Sequence, residues 1–314
     1  MASDKQILSD MARVFTDCDP VTIQAAITDY CFNKCFMCDH YKRENKTYIV
    51  LERWLKFLRG LKNTKAIFYT GGDSIMHPQI NEIMAEHTKL DIDFGFISSG
   101  YIPDSVDLQL LSMAKFFNVS LDSLDDANYE KLRGGIKLNK VLDSIEMALS
   151  YGINVNATVI LSEQNFHELS DIINFCYDNG MNLRINKLYG KGNIELDLHS
   201  YTKFFKEKDL VLSVKNDSYT FAKCVVPYYS MFIDSKGNVY PCCVLGGDTE
   251  IDSSIEPLGN IEDFGKAKSE RALFYLNNLP QKCSNCLSSF QKINNRFSKN
   301  PTINLNINES RNFY

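Results

Sequence analysis

The feature that most restricts this chain is the stretch Tyr30–His40, YCFNKCFMCDH. It sets Cys31, Cys35 and Cys38 in a C-x3-C-x2-C run directly behind an apolar, strand-like segment, Val21–Ile27. Thiolates this close in one loop suit three corners of an iron–sulfur cube, because such clusters are ligated by cysteine sulfur at short loop spacings. A four-iron cluster held this way keeps one iron without a protein ligand, and that iron can take another group. Zinc is the competing tenant, with His40 two residues on as a fourth ligand, although closed zinc sites usually pair two CxxC knuckles. Three unrelated core thiols is the blandest reading.

The ten cysteines of the 314-residue chain sharpen the choice. Eight fall in tight groups: Cys31, Cys35 and Cys38; Cys224; Cys242 and Cys243; Cys283 and Cys286. The N-terminus carries acidic residues and no long apolar core, and no apolar run approaches the roughly 18 residues of a membrane span. The expectation is a cytoplasmic protein without membrane association, where disulfides are rare and grouped thiols point to metal. Cys18 and Cys176 stand alone and read as small buried hydrophobes. A formal charge of -5 argues against a nucleic-acid partner, which would call for a basic surface.

From Val21 onward, short apolar runs alternate with longer helical patterns, the mark of repeated βα units and a parallel sheet. Strands are predicted over 21–27, 66–69, 91–98, 116–121, 153–160 and 181–188. Helices are predicted over 51–61, 79–89, 105–114, 139–151, 166–179 and 199–208. With right-handed crossovers these form a partial (β/α)6 TIM-like barrel, an α/β fold whose ligands sit at the C-terminal strand ends. Those ends carry suitable residues: Thr70-Gly71-Gly72-Asp73, whose glycines let backbone approach a ligand; Ser98-Ser99-Gly100; and Ser120-Leu121-Asp122, followed by Arg133-Gly134-Gly135. Arg184 and Lys187 near the end of the sixth strand suit an anionic or hydroxylated substrate, if they face inward rather than outward.

In this order, the cysteine run and strand ends resemble the radical S-adenosylmethionine (SAM) superfamily over about residues 20–209. The resemblance implies that SAM chelates the open iron and is reductively cleaved to a 5′-deoxyadenosyl radical, with electrons from a donor such as flavodoxin or ferredoxin. It implies that the Gly71-Gly72-Asp73 segment receives the amino group, and that Ser120 and Arg133, in an S-x-D … R-G segment that includes Asp122 as a further cofactor-site residue, hold the ribose and carboxylate; the strand-end hydroxyl of Ser99 suits the ribose or the carboxylate as well. Arginine suits a carboxylate because its fork bonds both oxygens. Two departures stand out: the family's motif is Gly-Gly-Glu where this chain has Asp73 as the acid, and the residue before the third cysteine is usually aromatic but here is Met37.

Past residue 210 the pattern changes. Tyr228–Ile233 and Asn238–Tyr240 read as a hairpin about Asp234–Gly237, flanked by Cys224 and Cys242; a helix over 263–277 and Cys283-Ser284-Asn285-Cys286 follow. This resembles the twitch domain, a shortened SPASM extension. It implies one auxiliary 4Fe–4S cluster on Cys224, Cys242, Cys283 and Cys286, with zinc again the competitor. The expected division is a core over 1–209, a small hairpin-plus-helix auxiliary domain over 210–286 and a solvated tail over 287–314.

Cys243 is left over. Either it donates a hydrogen atom to a substrate radical, as in radical SAM epimerases, or it merely packs. The leading expectation is hydrogen abstraction from a small polar metabolite, a sugar or aminocyclitol, epimerised with Cys243 as donor. The alternatives are a two-electron dehydrogenase using the auxiliary cluster, the same chemistry on a short ribosomal peptide, and a non-catalytic iron- or redox-sensing protein.

Overall fold

All six predicted strands form, each within two residues of its expected bounds. In chain order the computed structural model has β1 (Thr22–Ala25), α1 (Leu51–Gly60), β2 (Ala66–Tyr69), α2 (Ile80–His87), β3 (Asp93–Ser98), α3 (Leu108–Leu111) and β4 (Phe117–Ser120). There follow α4 (Asp126–Leu132), α5 (Leu138–Ser150), β5 (Val155–Leu161), α6 (Leu169–Asp178), β6 (Asn182–Lys187) and β7 (Leu212–Val214). The C-terminal part has α7 (Val226–Tyr229), β8 (Ser230–Ile233), β9 (Asn238–Tyr240), α8 (Cys243–Gly246), β10 (Gly259–Asn260) and α9 (Phe264–Leu276). The structure describes residues 19–38, 40–187, 203, 205–207, 210–214, 224–246, 255–276, 283 and 294. Cys18, Cys286, most of the helix predicted over 199–208 and the tail after 287, apart from Asn294, lie outside the described residues.

The chain forms two compact units: a βα unit of residues 28–48 and 68–215, and a terminal unit drawing on residues before 28, residues 49–67 and those from 216 onward. In the βα unit the strands run β3-β4-β5-β6-β7, all parallel. The crossover helices bury one stripe each: Leu138, Val141, Ile145 and Ala148 on α5, and Leu169, Ile172, Ile173 and Cys176 on α6. Cys176 is thus the buried hydrophobe its surroundings predict.

Two helices differ from expectation for local reasons. The helix predicted over 105–114 shrinks to α3; the Asp107 carboxylate accepts the Gln109 and Leu110 N–H groups and starts the helix at Leu108, three residues in. Conversely, α4 was hidden by its polar composition. Only Tyr129 and Leu132 are buried on it, and Asp125 caps it through the Asn128 N–H at 2.8 Å.

In the terminal unit the order is β10-β9-β8-β1. The predicted hairpin forms, with β8 antiparallel to β9 and Asp234 Oδ1 accepting the Lys236 and Asn238 N–H groups across its turn. In addition β8 pairs in parallel with β1, Thr22 opposite Ser230 and Ala25 opposite Ile233, so the hairpin is anchored on a strand two hundred residues earlier in the sequence. The whole is a mixed α/β fold, with the parallel sheet of a partial barrel and an antiparallel C-terminal region. Among the described residues, no helix is long and apolar enough to cross a membrane.

Candidate functional site

The cysteine loop of the βα unit is braced from two sides by backbone. On one side the Asp73 N–H donates to Tyr30 O at 2.7 Å and the Gly72 N–H to Thr28 O at 3.1 Å. A Cβ on Gly72 would stand 2.5 Å from Tyr30 O, so this glycine exists to let its strand end lie against the base of the loop. The sequence reading of this segment is close approach to a ligand; Gly72 also packs closely against the loop itself. On the other side the Lys34 N–H donates to Arg133 O at 2.9 Å and the Phe36 N–H to Leu132 O at 3.1 Å. Gly135, at φ +90°, would place a Cβ 2.1 Å from Phe32 O. Below, Asp29 accepts Arg43 Nη1 at 2.5 Å and the Thr47 N–H at 3.3 Å.

Charge is concentrated just beneath the thiols. Arg133 is buried, with Nε 2.6 Å from Oδ2 of Asp122, which is fully buried, and Nη1 donates to Cys35 Sγ at 3.6 Å. Burial works against the guanidinium's charge, but Asp122 and then Cys35 outweigh it and raise its pKa. Asp122 Oδ1 also accepts the Ile160 N–H at 2.7 Å. Asp73 is buried too: Oδ2 accepts Ser98 Oγ (3.1 Å), the Ser99 N–H (2.9 Å) and Ser99 Oγ (2.6 Å), while Oδ1 is buried without a hydrogen bond. Burial raises the Asp73 pKa more than these bonds lower it. Burial, then Asp73, Cys35 and Cys38, push the Cys31 thiol up to about 12. Ser99 and Arg133 thus have partners within the protein.

The sheet adds a feature that sequence reasoning missed. Across β4, β5 and β6, Asn118, Asn156 and Asn182 stand in one register row and Ser120, Thr158 and Arg184 in another on the same face, all half-buried. Asn182 Nδ2 donates to Asn156 Oδ1 at 2.6 Å. The alternating residues Phe117, Val119, Val155, Ala157, Val159, Leu183 and Ile185 are buried on the opposite face, where Val119 and Val141 of α5 crowd the same spot beside Gly100. Arg184 therefore shares the face of Ser120, opposite the helices. The Lys187 side chain lies outside the described residues. The legible signal was asparagine alternating with apolar residues in three successive strands.

The second cysteine set lies in the terminal unit. Cys242 is buried with Val225, Val226, Tyr229 and Leu245, and Cys224, Cys243 and Cys283 pack against this cluster. Cys243 also packs against the group formed by Ala26, Phe232 and Tyr240. Burial, then Cys243 and Cys224, push the Cys242 thiol well above its ordinary range; burial and then Cys224 push Cys283 up to about 11. Cys286 lies outside the described residues.

Residues 26–176 match the radical SAM superfamily, and residues 224–287 match the SPASM iron–sulfur cluster-binding domain. The chain belongs to the radical SAM superfamily. This radical SAM chain is 23% identical over 210 residues to a probable GTP 3′,8-cyclase of Sulfurisphaera tokodaii, covering 63% of itself and 67% of that protein. It spans about half the length of other GTP 3′,8-cyclases it matches. It shares its fold with SuiB of Streptococcus suis bound to the precursor peptide SuiA, at TM-score 0.63 and 16% identity, covering 80% of this chain and 65% of SuiB. It likewise resembles anSMEcpe with bound AdoMet and the Kp18Cys peptide, at TM-score 0.55 and 17% identity, covering 86% and 83%.

As a radical SAM enzyme the protein uses a 4Fe–4S cluster and SAM, with further iron–sulfur at the SPASM domain. The donor chemistry fits. The loop offers three soft thiols, one already accepting an N–H, and the bare Asp73 Oδ1 suits a cationic head group.

Proposed function

We propose that this radical SAM enzyme oxidises a carbon centre of a peptide by two electrons. The observation that carries the reading is the face formed by Asn118, Asn156 and Asn182 beside Ser120, Thr158 and Arg184. Side-chain amides offer a donor and an acceptor each, as a peptide backbone does, and arginine can bind a substrate carboxylate through both oxygens. The peptide-bound SuiB and anSMEcpe structures support this choice over the small metabolite expected from sequence.

In this reading Cys31, Cys35 and Cys38 hold the SAM-binding cluster. Asp73 takes the SAM ammonium, and Gly71, Gly72, Ser99, Ser120, Asp122 and Arg133 shape the remaining SAM contacts. Cys224, Cys242, Cys283 and Cys286 hold one auxiliary 4Fe–4S cluster. When bound, these groups supply the 5′-deoxyadenosyl radical that takes a hydrogen atom and an acceptor for the second electron. Net, the substrate loses a hydrogen atom, an electron and a proton. A cytoplasmic setting and a donor such as flavodoxin or ferredoxin complete the picture.

The competing reading is epimerisation with Cys243 as hydrogen donor. Its half-buried thiol beside Cys242 favours that role, while its packing against Phe232 and Tyr240 favours a filler. Anaerobically reconstituted protein, given SAM, a reductant and a pool of short peptides in deuterated water, decides by mass spectrometry. Oxidation gives 5′-deoxyadenosine and a peptide lighter by two hydrogens, with turnover retained in Cys243→Ala. Solvent deuterium in a product of otherwise unchanged composition, abolished in Cys243→Ala, would establish the epimerase instead.

A further inference from the structure

Asn294 lies beyond the SPASM match, which ends at residue 287, and beyond the last cysteine of the chain. It is nevertheless 3% exposed. Its carboxamide oxygen accepts the Val225 N–H at 2.9 Å, and its amide nitrogen donates to Cys224 Sγ at 3.4 Å. The orientation of the amide is forced, because a backbone N–H can only donate: the oxygen must face Val225, which leaves the nitrogen for the sulfur. Burying a carboxamide is costly unless its bonds are made, and here they are made to two consecutive residues, the first of them a candidate iron ligand. A thiol that merely packed would need no such grip; its neighbours Val226, Tyr229 and Leu245 already enclose the place.

We infer that Asn294 is a positioning residue for the auxiliary iron–sulfur centre, orienting Cys224 toward the metal and donating an N–H to its sulfur. The inference rests on the proposed ligand role of Cys224. An N–H donated to a cluster sulfur favours the reduced, more negative state, since hydrogen bonds to the sulfurs help set cluster potentials. Asn294 therefore makes the auxiliary centre a readier electron acceptor than its thiolates alone would. Asn294 thus contributes to the centre from beyond the last cysteine.

The test uses the full-length chain carrying Cys31→Ala, Cys35→Ala and Cys38→Ala, so that iron can be held only by the second set. In this background Asn294→Asp keeps the acceptor for Val225 but replaces the N–H donor with an anionic oxygen, and Asn294→Ala removes both. Iron and sulfide per chain and an EPR-monitored redox titration are read for each. The expected result is a midpoint potential shifted negative in both variants, further in Asn294→Asp, with iron content kept in Asn294→Asp. Should Asn294→Ala fail to fold, the aspartate variant decides alone. An iron-loaded Asn294→Asp with an unmoved potential overturns the inference and leaves the auxiliary-cluster reading intact. A parent that binds no iron, or binds zinc in its place, overturns that reading and the inference with it.

Discussion

The cysteine loop of the βα unit and the cysteines of the terminal unit are both thiol-rich, yet they are held by opposite means. The first is gripped by backbone and charge: Gly72 and Gly135 pressed against the loop carbonyls, and a buried Arg133–Asp122 pair under Cys35. The second sits in an apolar cluster of Val225, Val226, Tyr229 and Leu245, with a neutral carboxamide as its polar neighbour. A site that must bind and release a charged ligand needs charges kept ready, and buried charges persist only when paired. A site that only holds metal and passes electrons is served by a dry, closed surround. The bracing thus differs in the way the two proposed tasks differ.

The largest effect comes from removing the thiols themselves. Cys35→Ala is expected to abolish 5′-deoxyadenosine formation. Cys242→Ala should leave SAM cleavage measurable while eliminating oxidised product. Anaerobic assays for both products on the two variants check this; equal loss of SAM cleavage in Cys242→Ala would erase the functional half of the contrast.

Next is the buried pair. Arg133→Leu leaves Asp122 without its counter-charge at zero exposure, which should cost about 3–5 kcal/mol in unfolding free energy. The carboxamide contact of the terminal unit belongs to the class worth about 1 kcal/mol. Urea denaturation of Arg133→Leu against Asn294→Ala gives both numbers. Comparable losses would mean that charge does not distinguish the two regions.

Much of this was readable in the sequence, and what was not shares a physical cause. Strands such as β2 announce themselves because apolar runs, punctuated by glycine, are local signals. The trio Cys31, Cys35 and Cys38 is local too. The parallel pairing of β8 with β1 is not, since neither run of residues encodes its distant partner. Nor could spacing tell that Gly72 and Gly135 are required by the carbonyls of Tyr30 and Phe32, because each clash is between segments far apart in sequence. Asn294, in a polar stretch without apolar periodicity, gave no sign of its bond to Cys224. Charged groups followed the same rule: Asp122 and Arg133 stood out in the sequence as candidate site residues, but their pairing emerged only from the fold.

A smaller effect sharpens the contrast through pH. The five histidines are His40, His77, His87, His167 and His199, and none lies in the terminal unit. His87 is buried, with Nε2 2.6 Å from the Tyr69 hydroxyl, and burial lowers its pKa from 6.5 to about 4. A depressed folded value means stability fully present above pH 6.5 and lost as pH falls toward 4, to a limit of about 3 kcal/mol. Melting temperatures between pH 7 and pH 4 should therefore fall less steeply in His87→Gln than in the wild type. Hydrogen exchange should locate the acid loosening in the βα unit. The same slope in both proteins would remove His87 from the account.

The smallest effect is expected at the exposed charge pair of the terminal unit, which also holds the more buried Lys268–Asp19 pair at 2.9 Å. Arg53 on α1 contacts Glu262 through Nε and, at 2.7 Å, through Nη2, which also donates to Asn260 Oδ1 at 2.8 Å. The Glu262 side chain is 53% exposed, so water screens the attraction and solvates either partner once the other is gone. Glu262→Gln should thus cost less than about 1 kcal/mol, and less still at high salt, with the Arg53–Asn260 bond retained. Denaturant melts at low and high ionic strength measure it. A loss as large as that of Arg133→Leu, surviving in salt, would show that the terminal unit also depends on an ion pair, and the difference between the two regions would then lie only in where their charges are buried.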